Sequence, residues 1–310
     1  MRTVFFGTPE LAVPSLDAVA GNHELAAVVC RPDRPQGRSK KLVPPPTKVW
    51  ADAHNVPVLQ PVKLNDGTFE SWLRAQAPEV CVLAAYGRIL KQPILDVPRH
   101  GFINVHPSLL PRHRGPSPIQ TAILCGDAAT GVTIMRLDAG MDTGDILLQE
   151  EEPILPDDTT ASLSERLAGR GATLLVRALA LIASGKAIFT PQDHPRATTT
   201  RLFEKKDGQI HWDASARDIH NLVRAAVPWP IAHCAFKGQT CRIHHTQAVD
   251  ESAAAPPGEV VRVEGDRVCV ATGDGLLAIH TLQPPGKRAM AMADYLRGHP
   301  IAVGNRFEDL

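Results

Sequence analysis

The sequence predicts an α/β fold with a Rossmann-like parallel sheet, followed by a small OB-like β-barrel. Over about the first 185 residues, short β-branched runs alternate with helical stretches, as in a parallel sheet covered by helices. These apolar runs lack strict alternation, which is typical of strands buried on both faces. Towards the C-terminus, several short strand-like runs are bounded by Gly, Asp or Pro, and this pattern suggests a small barrel.

The length of the chain favours two domains, because 310 residues exceed the roughly 100–200 of a usual single domain. Composition shifts after Gly185. The segment that follows is rich in polar residues and proline and has no sustained periodicity, so it is interpreted as a linker. We therefore expect an α/β domain over 1–188, a linker over 189–208 and an OB-like domain over 209–310.

The elements can be predicted in chain order. Thr3–Phe6 has the pattern of a buried first strand, and a helix over Glu10–Ala20 follows, with Thr8 as its N-cap and Pro9 in its first position. The turn between them is not G-x-G-x-x-G, so a dinucleotide site is not expected. Further helices are expected over Pro46–His54, Ala161–Ser184 and Ala214–Ala226, and further strands in LAAVVC, EVCVLAAY, GFINVH, TGVTIMRL, AHCAFKG, TCRIHHTQAV, GEVVRVEG, RVCVATGDG and LLAIHTLQP.

Composition excludes several classes of protein. No run approaches the roughly 18 apolar residues of a membrane span, and the N-terminus has no signal-peptide core. The six cysteines form no C-x-x-C pair, so they are interpreted as core thiols of a cytoplasmic protein and not as a zinc or disulfide framework. Basic and acidic residues balance at 33 each, which gives no argument for a polyanionic partner from global charge.

The most unusual stretch runs from Gly101 to Gly115, GFINVHPSLLPRHRG. A strand there ends in polar residues and passes into a proline-rich loop. Ligands bind at the carboxyl ends of strands in open α/β sheets. Asn104 and His106 are two residues apart, so both side chains point to the same face of an extended strand. This pair predicts a ligand or catalytic site.

A second polar stretch, LDAGMDTGD, follows another core-type strand and contains Asp138, Asp142 and Asp145. Its glycines predict a tight loop, and a solvated turn capped by aspartates would explain it equally well. If the two strands are neighbours, one of the three carboxylates can reach His106 and raise its pKa.

INVHPSLLPRHRGPSPIQ and the later MDTGD resemble the signature of folate-dependent formyltransferases. The resemblance implies catalytic roles for Asn104, His106 and Asp142, and a co-substrate, 10-formyltetrahydrofolate, with no metal. In that chemistry Asn104 would donate hydrogen bonds to an oxyanion, His106 would also donate and move a proton, and Asp142 would orient the imidazole and favour its charged form. The resemblance also implies folate contacts from Ser108, Leu109, Leu110, Pro111, Ala85, Tyr86 and Gly87.

Four further segments resemble the members of this family that act on methionyl-tRNA, and they extend the resemblance to the whole chain. They are GTPELAVPSL, RPDRPQGRSKKLVPPPTKVWA, VPWP and LQPPGKRAM. The resemblance implies transfer of the formyl group to the α-amino group of methionyl-initiator tRNA by a monomer. An amino-sugar nucleotide formyltransferase, a formyltetrahydrofolate hydrolase and an RNA-binding scaffold are the alternatives.

The stretch from residue 31 to residue 48 supports a tRNA partner independently of the resemblance. It contains six basic residues and one acidic residue, Asp33, among several prolines, and a long basic loop of this kind favours phosphate contact. The residues from Arg201 onwards hold as many acidic as basic residues, so any basic face there depends on clustering. The tRNA contacts expected are Arg38, Lys40 and Lys41 in the loop, and Lys205, Lys206, Lys287 and Arg288 in the second domain.

Overall fold

The computed structural model describes residues 1–36, 41–251 and 254–310. The chain divides into two compact units. The first comprises Met1–Pro118, Ala129–Pro153 and Ser164–Arg201, and the second comprises Ile119–Ala128, Ile154–Leu163 and Leu202–Leu310.

Helices and strands alternate through the first part of the chain, as predicted. A short 3-10 helix, Glu10–Ala12, precedes the first α-helix. The elements are β1 (Arg2–Gly7), α1 (Val13–Asn22), β2 (Glu24–Val29), β3 (Arg34–Gln36), β4 (Lys41–Val43), α2 (Pro46–Ala53), β5 (Val58–Leu59), α3 (Thr68–Ala75), β6 (Val80–Ala84), α4 (Gln92–Leu95), β7 (Phe102–His106), α5 (Pro118–Leu124), β8 (Ala129–Arg136), β9 (Ile146–Pro153) and α6 (Thr160–Ala183).

The main sheet has the order β5-β2-β1-β6-β7-β8-β9. Its first five strands are parallel, which confirms the predicted α/β class. The last two are antiparallel to their neighbours, so the sheet is mixed and not wholly parallel as expected. The antiparallel direction of β9 follows from its connection to β8, because the residues between the two strands contain no helix that could cross back over the sheet.

The core of this sheet is aromatic. Phe6 on β1 is fully buried, and its ring meets those of Tyr86, Phe102 and Phe69 edge-on at centroid distances of 5.5, 5.1 and 6.1 Å. Such pairs contribute beyond the area that they bury. They pack β1 against α3, the turn after β6 and the start of β7.

Thr8 does not cap the first helix, so that prediction is wrong. The N-cap of the 3-10 helix is Pro9, and Thr8 instead donates its hydroxyl to the backbone oxygen of Tyr86 at 3.3 Å. The same hydroxyl accepts from the backbone N–H of Arg31 at 3.4 Å. Local sequence gave no sign of these contacts, because both partners are distant along the chain.

The second unit is built on an antiparallel sheet of the order β12-β13-β14-β11-β10-β16, with a short β15 beside β14. Its α7 begins after Ser215, whose hydroxyl accepts from the N–H of Asp218. The elements are a 3-10 helix (Lys205–Gly208), α7 (Ala216–Ala225), β10 (Ala232–Phe236), β11 (Gln239–Val249), β12 (Val260–Val263), β13 (Val268–Ala271), β14 (Leu276–Gln283), β15 (Met290–Ala291), α8 (Met292–Gly298) and β16 (Phe307–Glu308).

This sheet curls round an apolar core, as an OB-like barrel requires. Trp212, Ile243 and Phe307 are among the buried side chains that fill it. Gly258 accepts from Phe307 N–H at 2.8 Å, and Val260 N–H donates to Asn305 at 2.8 Å, so the two ends of the sheet are hydrogen-bonded to each other. The OB-like prediction is confirmed.

Five of the six cysteines are buried, in agreement with their interpretation as core residues, and Cys125 is exposed. In the part of the chain that the structure describes, no helix has the length and apolar character to cross a membrane.

We expect Gly258→Ala to destabilise the second unit by about 1–3 kcal/mol. Gly258 has φ +90°, and an added Cβ would lie 2.2 Å from the backbone oxygen of Phe307, which is fixed in the sheet. Gly265→Ala is the matched control, because a Cβ there meets nothing within 4 Å. Denaturant unfolding of both variants measures the effect, and equal stability of the two would contradict it.

Candidate active site

Asn104 and His106 lie on β7, between the parallel β6 and the antiparallel β8. Because side chains alternate along a strand, both point to one face. Both are also largely buried, at 5% and 4% exposure. The predicted same-face pair is therefore present, and it lies on an inner strand of the sheet.

The imidazole of His106 has a different partner on each nitrogen. Nε2 lies 3.0 Å from the backbone oxygen of His113, and since a carbonyl oxygen can only accept, Nε2 carries the hydrogen. Nδ1 lies 3.6 Å from Oδ2 of Asp142. In the neutral imidazole Nδ1 is therefore the basic atom, and a proton gained there faces a carboxylate.

The pKa of His106 is lowered from its usual value of 6.5, chiefly because burial disfavours the charged imidazolium. Asp142 and the hydrogen bond to His113 both raise the pKa, but by less than burial lowers it. Asp142 therefore has the expected effect of raising the pKa of His106, but burial, which was not foreseen, lowers it by more. The ring is neutral at neutral pH and can accept a proton.

Of the three candidate carboxylates, Asp142 is the one beside His106. Its Oδ2 also accepts from the backbone N–H of Gly115 at 2.8 Å. Asp138 instead caps its own turn, accepting from the N–H of Gly140 at 3.1 Å and from the hydroxyl of Thr143. Geometry thereby distinguishes between acids that residue type alone left equivalent.

The side-chain amide of Asn104 has no hydrogen-bond partner among the residues that the structure describes. Polar groups that are nearly buried usually have one. An amide left without a partner beside a neutral histidine is suited to donate hydrogen bonds to a bound oxygen atom.

The loop after β7 is held by polar groups that were not predicted. The hydroxyl of Thr133 donates to the backbone oxygen of Ser108 at 2.6 Å and accepts from the N–H of Leu110 at 3.1 Å. Gln149 donates to the backbone oxygen of Leu110 at 2.7 Å and to Thr133 at 2.9 Å. The Ser108 hydroxyl donates to the oxygen of Arg112 at 2.7 Å. Ser108–Pro111 is therefore a preformed loop, but several of its polar groups are already used within the protein.

The second predicted contact segment, Ala85–Gly87, directly follows β6. Ala85 and Gly87 have φ angles of +48° and +73°, so the backbone turns sharply there. The side chain of Tyr86 is buried against Phe6, and only its backbone can contribute to a site.

The predicted tRNA contacts fall into three groups. Arg38 and Lys40 lie outside the described residues. Lys41 is exposed on β4, which pairs with β3 as a small antiparallel ribbon. In the second unit Lys205, Lys206, Lys287 and Arg288 are all exposed, and Lys206 forms an ion pair with Glu204 at 3.0 Å.

A single group of described side chains could hold a metal ion: His211, Asp213 and Asp309 in the second unit. All three are exposed, and Nδ1 of His211 already pairs with Asp309 at 2.8 Å.

Comparison with known proteins identifies the family. A formyl transferase model matches residues 1–179, and a model of the formyl transferase C-terminal domain matches residues 203–300. The chain belongs to the formyl transferase family.

Relatives of this formyl transferase are similar over almost their whole length. A methionyl-tRNA formyltransferase of Moorella thermoacetica is 46% identical over 305 residues, covering 98% of this chain and 98% of that protein. One of Anaeromyxobacter sp. (strain K) is 46% identical over 302 residues, covering 96% of this chain and 97% of that protein.

Solved structures share the fold. An N-formyltransferase of Helicobacter canadensis, in complex with folinic acid and dTDP-3-aminofucose, has a TM-score of 0.68 at 20% identity, covering 90% of this chain and 98% of that chain. HypX of Aquifex aeolicus, in complex with tetrahydrofolic acid, has a TM-score of 0.65 at 18% identity, covering 96% of this chain and 47% of that chain.

The lowered pKa of His106 predicts a pH dependence of stability. Its unfolded imidazole takes up a proton as pH falls below 6.5, whereas the folded one resists, so the histidine costs stability on the acid side of 6.5 and not above it. We expect His106→Gln to gain stability relative to the parent protein as pH is lowered from above 6.5 to below it. Urea unfolding at several pH values measures this difference, and a difference that does not change with pH contradicts it.

Proposed function

We propose that this formyl transferase moves the formyl group of 10-formyltetrahydrofolate to the free α-amino group of methionyl-initiator tRNA. The product, N-formylmethionyl-tRNA, serves translation initiation. The observation that carries the proposal is the unpartnered amide of Asn104 beside a neutral His106 that faces Asp142. Similarity to methionyl-tRNA formyltransferases over both units supports the acceptor.

The co-substrate supplies a formyl carbonyl carried on its N10 atom. Moving that group requires a donor for an oxygen that becomes negative, an acceptor for the proton lost by the attacking amine and a proton for N10. Asn104 can supply the first, because its amide N–H groups have no other partner among the described residues. Fixed donors of this kind cost no reorganisation during the reaction.

His106 serves the proton transfers through Nδ1. Nε2 is already committed to the backbone oxygen of His113, so Nδ1 is the atom that gains and returns a proton. Each gain places a positive charge 3.6 Å from the carboxylate of Asp142, which stabilises it. A base that is neutral at neutral pH and has a charge partner suits general acid–base catalysis.

Contact with the folate is proposed for Ser108–Pro111 and Ala85–Gly87. The hydrogen bonds from Thr133 and Gln149 support this proposal, since they keep the first loop in one shape before ligand binds. A preformed loop loses less conformational entropy on binding than a mobile one.

Contact with tRNA is proposed for Arg38, Lys40 and Lys41 in the first unit and for Lys205, Lys206, Lys287 and Arg288 in the second. The exposure of the described members supports it. Aromatic residues make up 5% of the chain and both tyrosines are buried, so stacking platforms for bases are scarce and recognition through phosphates is favoured.

We further propose that the enzyme acts as a monomer in the cytoplasm and needs no metal. Residues 1–188 would form the catalytic domain, 189–208 a linker and 209–310 the tRNA-binding domain. The limits of the two family models, 1–179 and 203–300, support this division.

One assay separates the proposed reaction from its rivals. Purified protein with 10-formyltetrahydrofolate is offered methionyl-tRNA, an amino-sugar nucleotide or water alone, and the formylated product or free tetrahydrofolate is measured. We expect formylation of methionyl-tRNA. Formylation of the sugar, hydrolysis without an acceptor, or binding of RNA with no turnover would each identify one of the alternatives.

We expect Asn104→Ala to lower kcat roughly 100- to 1000-fold, as loss of an oxyanion donor does, with much less effect on KM for the folate. His106→Ala should act in the same direction, because the base is lost. Asn65→Ala, on an exposed loop, is the matched control. Turnover close to that of the parent in both site variants would remove these residues from the chemistry.

Binding of methionyl-tRNA should weaken steadily as salt concentration rises, because phosphate contacts release counterions. Lys41→Ala should weaken binding and reduce the slope of log K against log salt by about one unit. Lys186→Ala, another exposed lysine but outside the proposed set, should leave the slope unchanged. An affinity that does not vary with salt would contradict contact through phosphates.

A further inference from the structure

The segment interpreted as a linker is hydrogen-bonded to the active-site loop. Residues 192–200, here called the strap, run beside the loop that follows β7, and all the contacts lie within the first unit. Thr198 accepts from the backbone N–H of Arg114 at 2.9 Å, and Thr200 N–H donates to the oxygen of Arg114 at 2.7 Å. The Thr198 hydroxyl accepts from the N–H of His113 at 2.8 Å. The strap therefore fixes the residue whose carbonyl oxygen binds His106.

Gln192, at the start of the strap, also reaches the loop that contains Asp142. Its Nε2 donates to the backbone oxygens of Asp142 and Gly144, at 2.9 and 2.7 Å. Its Oε1 accepts from Nε and Nη2 of Arg114, at 3.1 and 2.7 Å. The side chain is 5% exposed. Both donors and both acceptor positions of the amide are thus used, and this one residue joins the Arg114 loop to the Asp142 loop.

The Asp142 loop needs such a support because of where it starts. β8 is antiparallel to β7, and its last residue, Arg136, pairs with Ile103. Asp142 must therefore return from the level of Ile103 to that of His106, which is three residues or about 10 Å along the strand. The loop folds back over the face of β7 to do so.

Asp142 itself has a φ of +55°, in the left-handed region that residues other than glycine seldom adopt. Such a conformation persists when the surroundings hold it. The bond from Gln192 to the backbone oxygen of Asp142 acts on this peptide group, and the bond from Gly115 N–H acts on the carboxylate.

We propose that Gln192 is a positioning residue for formyl transfer: its two N–H groups hold the Asp142 loop so that the carboxylate faces Nδ1 of His106. This inference rests on the proposed function for its effect on turnover. The predicted effect of Gln192 on the pKa of His106 is independent of the proposed function, because the histidine has this geometry without substrate.

The competing explanation is that Gln192 merely satisfies the buried guanidinium of Arg114. Two substitutions distinguish these roles. Gln192→Glu keeps an acceptor for Arg114 but loses both donors to the Asp142 loop, whereas Gln192→Met, similar in length and uncharged, loses all four bonds. Asp193→Asn is the control, since Asp193 is exposed and its side chain does not cap the short 3-10 helix, His194–Arg196, that follows it.

We expect both Gln192 variants to lower kcat by about 100-fold, the cost of a catalytic group displaced by about 1 Å, with little change in KM for either substrate. Asp193→Asn should retain the parent kcat. If Gln192→Glu turns over like the parent while Gln192→Met is impaired, pairing with Arg114 is the whole role and the proposal is overturned. Gln192→Glu keeps Arg114 paired, so it decides the question even if Gln192→Met does not fold.

The titration of His106, followed by NMR in the full-length protein, supplies a readout independent of turnover. In Gln192→Met a displaced Asp142 no longer supports the imidazolium, so the pKa of His106 should fall below that of the parent, and the acid limb of kcat/KM should move to lower pH with it. An unchanged pKa in a folded variant overturns the proposal. If the parent protein does not formylate methionyl-tRNA, the proposed function fails, and the titration still tests the role of Gln192.

Discussion

The buried imidazole of His106, set between a carbonyl oxygen and a carboxylate, is the interaction on which the rest of the site depends. Burial disfavours a charge on the ring, and the carboxylate of Asp142 offsets part of that cost. The imidazole is therefore an uncharged base at neutral pH, and the carboxylate of Asp142 stabilises the positive charge that forms when it accepts a proton. Each element nearby either brings one of these partners to the ring or keeps it there.

The mixed sheet places both partners, the His113 carbonyl oxygen and the Asp142 carboxylate, beside His106. β7 lies inside the sheet, so its residues cannot shift without disturbing β6 and β8. The loop after β7 returns His113 to His106, and the loop between β8 and β9 brings Asp142 back across the same face. An all-parallel sheet would have had no such hairpin beside β7, since parallel neighbours need a crossover connection.

The features that could be predicted from the sequence are those that depend on a repeating pattern of residues. Asn104 and His106 are recognisable because residues two apart share a face, and the α/β class follows from the alternation of strand-like and helical runs. Residue type alone could not choose Asp142 over Asp138, and the assignment of Asp142 came from the resemblance, because its contacts with His106 and Gly115 join distant parts of the chain. Thr133 and Gln149 look like ordinary strand residues, and Gln192 lies in a segment without periodicity. These three act through contacts between distant parts of the chain, which no short pattern records.

Two polar side chains on adjacent strands have different roles: one stabilises the protein through internal hydrogen bonds, and the other is available to a ligand. The hydroxyl of Thr133 on β8 is fully engaged by the loop after β7 and by Gln149 on β9, so it has no capacity left for a ligand. The amide of Asn104 on β7 is nearly as buried, yet it makes no hydrogen bond with any described residue. The Asn104 amide is not among the described polar atoms that are sealed from solvent without a partner, so it remains accessible to a bound acceptor. Because the hydroxyl of Thr133 is already paired, the Asn104 amide is the one of these two groups that can donate to a ligand oxygen entering the site.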